Sequence, residues 1–282
     1  MRALTFLARR FVAGDTIDEA VEAVRALNAE GLKATLDNLG EETKTRDEAE
    51  KACREYITAL RKIAEAEADC NISLKLTQFG LNLDESLARD NLARVLEEAQ
   101  KLGNFARIDM ESSACTQKTL DLFYSLFPEP YANVGVVIQS ALRRSEKDVE
   151  KLVRLKARVR LVKGAYKEPA EAAFQKKSEV DDNYDRLAAL LMAAPLPAFG
   201  THDDERLSRA GAAARAAGLS KTGYEVQMLY GVRPKRWREL QREGHAVRIY
   251  VPYGTHWLPY YSRRIRERKE NLFFALRGIL GD

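Results

Sequence analysis

Eight short runs rich in β-branched and aliphatic residues recur along this chain, at 33–38, 72–77, 105–110, 133–139, 158–163, 198–202, 224–227 and 246–251. Each is followed by a longer amphipathic stretch. The run centres lie roughly 25 to 40 residues apart, the length of a strand plus a crossover helix, so strands alternating with helices imply a parallel sheet. Apolar residues at three- and four-residue intervals predict helices over 45–67 and 83–102, and Ser-Glu-Lys-Asp opens another at 145–155. The alanine-rich stretches 170–192 and 204–217 read as helices, as do 234–243 and 259–268, which carry proline near their starts. A further helix at 16–31 precedes the first strand, and one at 271–280 follows the last. An open doubly wound sheet would need a glycine fingerprint at its first crossover, and Asn38-Leu39-Gly40 is not G-x-G-x-x-G. Eight repeats without a break in composition therefore predict one α/β domain, a closed (β/α)8 TIM barrel over residues 1–282. Residues 1–31 form its helical lead-in, 33–270 the barrel and 271–282 a C-terminal helix.

Hydrophobic residues make up 45% of the chain and charged residues 31%, the balance of a soluble globular protein. No apolar run approaches the roughly 20 residues needed to span a bilayer. The opening MRALTFLARRFVAG has no signal-peptide core or small-residue cleavage site, so a cytoplasmic location is expected. Cys53, Cys70 and Cys115 form no CxxC pair, which argues against a disulfide framework and a zinc cluster. Basic residues outnumber acidic ones by 46 to 42 and are spread along the chain, apart from Arg263, Arg264, Arg266, Arg268 and Lys269. That distribution weakly favours an anionic ligand and speaks against nucleic acid, whose partners usually show a basic stripe with interleaved aromatics.

In a parallel barrel the strand interior is expected to be packed with aliphatic side chains, with chemistry gathered at the C-terminal strand ends. Here those ends carry Asp37 and Asn38, Lys75, Asp109 and Glu111, Gln139, Arg160 and Lys163, Thr201 and His202, Glu225 and Gln227, and Tyr250. Any one of these has a simpler reading as a solvated or salt-bridged residue. Together they are harder to dismiss, because Lys75 and Arg160 lie within strand-like runs, where an inward charge is costly without a partner. A cationic mouth is expected, with Asp109, Glu111 and Glu225 as counter-charges. Arg263 and Arg264 follow the turn Pro252-Tyr253-Gly254-Thr255 and read either as a bidentate clamp for an anion or as a solvent-facing pair on a basic helix. Glu267 lies one helical turn downstream and Tyr260 one turn upstream, each on the side of the arginines.

Several stretches in order resemble the proline dehydrogenase family, found alone and within bifunctional proline utilisation proteins. They are Ser73-Leu74-Lys75-Leu76, Arg107-Ile108-Asp109-Met110-Glu111, Gly135-Val136-Val137-Ile138-Gln139 and Arg160-Leu161-Val162-Lys163-Gly164-Ala165-Tyr166. Gly200-Thr201-His202-Asp203, Tyr224-Glu225-Val226-Gln227-Met228-Leu229, the run from Arg248 to Thr255, and Tyr260-Tyr261-Ser262-Arg263-Arg264 complete the match. The R-L-V-K-G-A-Y run and the terminal Y-x-x-R-R are specific signals, whereas a lone G-T-H is weak. The resemblance implies a distorted barrel that holds FAD at its C-terminal face and transfers hydride from proline C5 to flavin N5, giving 1-pyrroline-5-carboxylate. It implies a catalytic group of Arg160, Lys75 and Asp109, with Asp109 orienting the cations. The L-proline carboxylate would be held by Lys75, Arg263 and Arg264, and its ring enclosed by Ala165, Tyr166, Leu229, Tyr250 and Tyr260. FAD would be held by Gln139, Arg160, Val162, Lys163, Gly164, Ala165, Thr201, His202, Asp203, Glu225 and Gln227. A membrane quinone is the implied electron acceptor, with peripheral association at the inner face of the membrane, and a separate pyrroline-5-carboxylate dehydrogenase the implied partner. Lys167 departs from the family, which often has an aromatic residue there, and the few residues before Thr16 point to a trimmed or unusually short start.

Other chemistries remain open at the level of residue types. Lys75 or Lys163 at a strand exit suits a Schiff-base lyase. A metal hydrolase fits poorly, because only three histidines exist and His245 falls before the eighth strand, on the opposite side of the barrel from His202. The basic stretch from Arg263 to Lys269 would suit a module binding nucleic acid or an anionic membrane surface.

Overall fold

All eight runs form strands in the computed structural model, which describes residues 10–260 and 262. They are β1 (Lys33–Asn38), β2 (Cys70–Leu74), β3 (Ala106–Ile108), β4 (Val134–Gln139), β5 (Arg158–Val162), β6 (Ala198–Gly200), β7 (Glu225–Leu229) and β8 (Ala246–Tyr253). Each pairs in parallel with the next, and β8 pairs with β1, which closes the barrel. The helices are α1 (Ile17–Ala29), α2 (Arg46–Glu65), α3 (Glu85–Lys101), α4 (Ser113–Tyr124), α5 (Ser145–Arg154), α6 (Lys177–Leu191), α7 (Asp204–Ala216) and α8 (Pro234–Arg242).

Their ends follow local chemistry. Thr16 and Thr45 close capping boxes with Glu19 and Glu48, and Asp84 and Asp203 cap α3 and α7 with their carboxylates. Helix α1 packs on β1, β8 and α2, so it fills the outer-layer place over the seam where the barrel closes. The helical turn at 257–260 lies elsewhere, because Tyr260 joins Phe11, Val12 and Leu39 in an apolar cluster above the mouth, packed by Tyr250 and Trp257. The rest of the expected 259–268 helix, including Arg263, Arg264 and Glu267, and the 271–280 helix lie outside the described residues.

One expected boundary moves and one helix is added. Helix α6 begins at Lys177, not at residue 170, because Leu142 bridges Ala173 and the Arg143 backbone and guanidinium bind the carbonyls of Ala172 and Ala170. Helix α4 is additional to those expected, since its buried face includes Thr116 and Thr119 beside Leu120 and Phe123, and threonines blur a hydrophobic period.

The barrel interior differs most from expectation. The aliphatic residues of alternate positions, among them Leu36, Ile72, Ile108, Val136, Leu161, Val226 and Ile249, are buried in the main core cluster with residues of the helices. The intervening positions are polar and bond across the barrel. Arg160 on β5 reaches Ser73 on β2 at 3.1 Å and Gln227 on β7 at 3.1 Å, and Arg107 on β3 donates to the Arg158 carbonyl on β5 at 2.9 Å. Bonds that skip neighbouring strands can run only through the interior. Gly135 on β4 makes the Arg107 crossing possible, because a Cβ there would stand 2.4 Å from the Arg158 carbonyl oxygen and 2.8 Å from the Phe105 ring.

Candidate active site at the barrel mouth

Four charged groups converge where β1, β2, β3 and β5 end. Lys75, one residue beyond β2, donates to Asp37 at 2.7 Å and lies 3.7 Å from Asp109. Asp109, one residue beyond β3, pairs with Arg160 and accepts from the Tyr250 hydroxyl at 2.7 Å. The Tyr250 ring also lies beneath the Arg160 guanidinium, 5.2 Å from its centroid. All four charges are buried, and two ammonium or guanidinium groups face two carboxylates, so the cluster is neutral as a whole. Burial alone would depress the Lys75 ammonium, but Asp37 and Asp109 outweigh it and hold the charge above the ordinary lysine range. Burial and the neighbouring Asp109 push the Asp37 carboxyl up, against the attraction of Lys75. The Tyr56 hydroxyl from α2 accepts from the Asn38 amide at 3.2 Å and stands 3.4 Å from Asp37.

Below the cluster, Arg160 is oriented through an amide. The Gln227 carbonyl oxygen accepts from Arg160, and its NH2 donates to Glu225 at 2.8 Å, so Glu225 fixes which way the amide points. Glu225 was expected at the mouth as a counter-charge. It is instead the first residue of β7, at the base of the barrel, and binds Arg248 through three contacts of 2.8 to 3.1 Å, because β7 begins one residue later than its apolar run and extends to Leu229. Glu111 is likewise not a partner of the mouth cations, since its carboxylate accepts from the Thr77 amide at 3.2 Å and the Thr77 hydroxyl at 2.5 Å. The counter-charge role falls to Asp37 and Asp109.

Beside the cluster, β4, β5 and β6 end in a strip poor in side chains. Gln139 is buried and donates to the Glu111 carbonyl at 2.7 Å, while its carbonyl oxygen lies 2.9 Å from where a Gly164 Cβ would stand. Gly164 has φ +115°, Gly164 and Ala165 are exposed, and a Cβ at Gly200 would meet Val162 at 2.9 Å. Bare main chain, half-buried Val162 and buried Thr201 suit the edge and face of a planar group that approaches backbone closely. Flavin fits that description. Gly164→Ala is expected to destabilise the fold by about 1–3 kcal/mol, since alanine at this φ is strained and crowds Gln139; a urea midpoint equal to the parent's would contradict it.

The other expected residues are placed with partners of their own. Lys163 bridges Asp181 at 2.5 Å and Asp203 at 2.8 Å, while Asp203 also caps α7, so both side chains brace the β5 and β6 exits. The His202 Nε2 accepts from the Leu229 amide at 3.0 Å and so carries no proton there. Tyr166 is half-buried and close enough to Lys75 to act on its charge, and Leu229 and Tyr250 are half-buried at the ends of β7 and β8. A lyase needs an amine that sheds its proton readily, and the Asp37–Lys75–Asp109 arrangement opposes that. Tyr56, Arg107 and Arg248 escaped the expected set, although the latter two stand two residues before Asp109 and Tyr250 and therefore on the same strand face.

The proline dehydrogenase family matches residues 20–276. Proline dehydrogenase 1 of Bacillus subtilis subsp. natto is 43% identical over 274 residues, covering 97% of this chain and 90% of that protein. Proline dehydrogenase of Deinococcus radiodurans is 38% identical over 283 residues, with 97% and 90% covered. Among solved structures, proline utilization A from Bdellovibrio bacteriovorus inactivated by N-propargylglycine superposes with a TM-score of 0.87 at 27% identity. That match covers 93% of this chain and 33% of the other, so the chain spans about a third of that structure's length.

Proposed function

The chain belongs to the proline dehydrogenase family and is an oxidoreductase acting at the first step of proline catabolism, and we propose that it oxidises L-proline to 1-pyrroline-5-carboxylate with FAD. The observation that carries the residue-level reading is the neutral buried cluster of Lys75, Asp37, Asp109 and Arg160 beside the glycine-bare strip at Gly164. When bound, the flavin supplies the acceptor for hydride from proline C5.

Lys75 contributes an ammonium for the substrate carboxylate, with Arg263 and Arg264 completing the clamp. Asp109 holds Lys75 and Arg160 at a fixed separation, so their charges are in place before substrate arrives. Tyr250, Tyr260, Leu229, Ala165 and Tyr166 enclose the substrate ring and exclude water. Gln139, Val162, Lys163, Gly164, Ala165, Thr201, His202, Asp203 and Gln227 would hold the cofactor, and Arg160 would set a positive charge beside it. Glu225 acts on the cofactor site only through Gln227, at one remove. The substrate amine enters the reaction neutral, and no side chain is assigned as its base. Electrons pass to a membrane quinone and the product to a separate pyrroline-5-carboxylate dehydrogenase. The enzyme is cytoplasmic and meets the membrane at its inner surface; among the described residues no helix is long and apolar enough to cross a bilayer.

The purified protein is expected to be yellow, and anaerobic proline to bleach the visible flavin absorption. A colourless protein that takes up no FAD on reconstitution would overturn the proposal.

A further inference from the structure

We propose that the base of the barrel, the face opposite the mouth, binds a small oxyanion of the carboxylate or monophosphate class. A cleft of about 300 Å³ opens there, lined by Cys70, Asn71, Asn104, Phe105, Arg158 and Arg248. Three guanidinium groups gather beside it and one interior carboxylate answers them. That carboxylate, Glu225, is committed to Arg248 and Gln227.

Arg107 and Arg158 feel that carboxylate only at a distance, without an ion pair to it. Arg107 is 2% exposed, and it spends Nη1 on the Arg158 carbonyl while its buried Nη2 has no hydrogen-bond partner. The Arg158 Nε is also buried without a partner, in a half-buried side chain at the cleft wall. Among the described residues no carboxylate forms an ion pair with either arginine. The two guanidinium groups share the Phe105 ring, at 4.0 Å for Arg158 and 5.0 Å for Arg107. Ring contacts offset only part of the desolvation of two cations. Burial holds both below the ordinary arginine range, Arg160, Arg158 and Arg248 lower Arg107 further, and the attraction of Glu225 offsets this only in part. An anion seated in the cleft against the half-buried Arg158 guanidinium would supply negative charge to the arginine cluster at the point where it meets solvent.

The rim limits its size. Glu67 and Asp69 line the same cleft and are exposed, and Asp69 pairs with Lys33 at 3.4 Å and lies 3.9 Å from the Arg248 guanidinium, which leaves Arg158 as the cleft-wall cation without a carboxylate among the described residues. Carboxylates at the entrance repel a polyanion such as a nucleotide, whereas a single small anion fits beneath them on the arginine floor.

Thermal unfolding of the flavin-saturated protein tests this, with inorganic phosphate or formate compared with chloride at equal ionic strength. At about a hundred-fold excess over its dissociation constant, the bound anion is expected to raise Tm by roughly 5 °C. Arg158→Gln should remove that rise while leaving proline turnover intact. Asn71→Asp, which sets a carboxylate in the cleft, should remove it as well and decides the matter if Arg158→Gln does not fold. A rise from formate alone assigns a carboxylate ligand, and one from phosphate alone a phosphoryl ligand. No rise with either anion, or an equal rise in both variants, overturns the proposal and places any anion effect elsewhere on the protein.

Discussion

Asparagine in place of Asp109 is expected to lower kcat/KM for proline by at least ~100-fold, about 3 kcal/mol, while flavin content stays near the parent's. The substitution keeps the shape and removes the carboxylate that touches Lys75, Arg160 and the Tyr250 hydroxyl at once. Lys75 keeps Asp37, so its charge survives, but Arg160 is left with Ser73 and Gln227 as neutral acceptors. An amide NH2 in this place also faces two cations. Breaking a buried pair on one side typically costs about 3–5 kcal/mol, so a fall in Tm should accompany the kinetic loss. The split between kinetic parameters separates positioning from mere destabilisation. Loss of the ordered cations should raise KM for proline and lower kcat together at temperatures where the variant is fully folded. Tyr250→Phe is the comparison, since it removes one hydrogen bond to the same carboxylate and should cost about tenfold or less. An asparagine variant whose kinetics match Tyr250→Phe would remove Asp109 from its proposed place at the centre of the cluster.

Glutamine in place of Glu225 should produce the largest loss of stability, at the end of the barrel away from the chemistry. Burial raises the Glu225 carboxyl, but Arg248, through charge and hydrogen bonds, outweighs it and brings the group down to about 2 from an ordinary 4.5. A group depressed in the folded state stabilises the fold above its unfolded value, and that contribution is lost as pH falls through the folded value. Here the loss runs from about pH 4.5 down to about 2 and amounts to about 3 kcal/mol. Glu225→Gln removes the contribution at every pH and leaves Arg107, Arg158 and Arg248 with no interior counter-charge, so Tm at pH 7 should fall by roughly 6–10 °C. The acid limb of its unfolding curve should be shallower than the parent's over the same window. A parallel acid limb would show that other carboxylates set the acid stability. Gln227 would then face an amide that can present either its oxygen or its NH2, so the orientation of the Gln227 amide is less firmly fixed and a modest fall in kcat is expected even where the protein is folded.

Much of this molecule was legible before folding. Eight apolar runs at a regular interval dictate eight parallel strands, because each run can be buried only against a helix and a neighbouring strand, and the sheet satisfies its last edge by closing. The capping boxes at Thr16 and Thr45, the proline at the start of α8 and the carboxylate caps at Asp84 and Asp203 are local events that need no tertiary context. So are the period-two pairs Thr35 and Asp37, Ser73 and Lys75, Arg107 and Asp109, Arg158 and Arg160, Glu225 and Gln227, and Arg248 and Tyr250, each of which must share a strand face. That alternation marks the interior as polar, against the expectation of an aliphatic core, because the aliphatic residues between these pairs face the helices.

Which charge meets which was beyond the sequence. Lys75 could have joined Glu111 as readily as Asp37, and Glu225 could have stood at the mouth, since the choice turns on where β7 begins and how far one strand is sheared against the next. The same shear puts Arg107 level with Gly135 and carries its guanidinium across to β5. Local propensity determines the strand and the face, whereas register is a sum over the whole closed sheet. Only the closed barrel decided that its interior holds a balanced cluster at the mouth and unmatched arginines at the base.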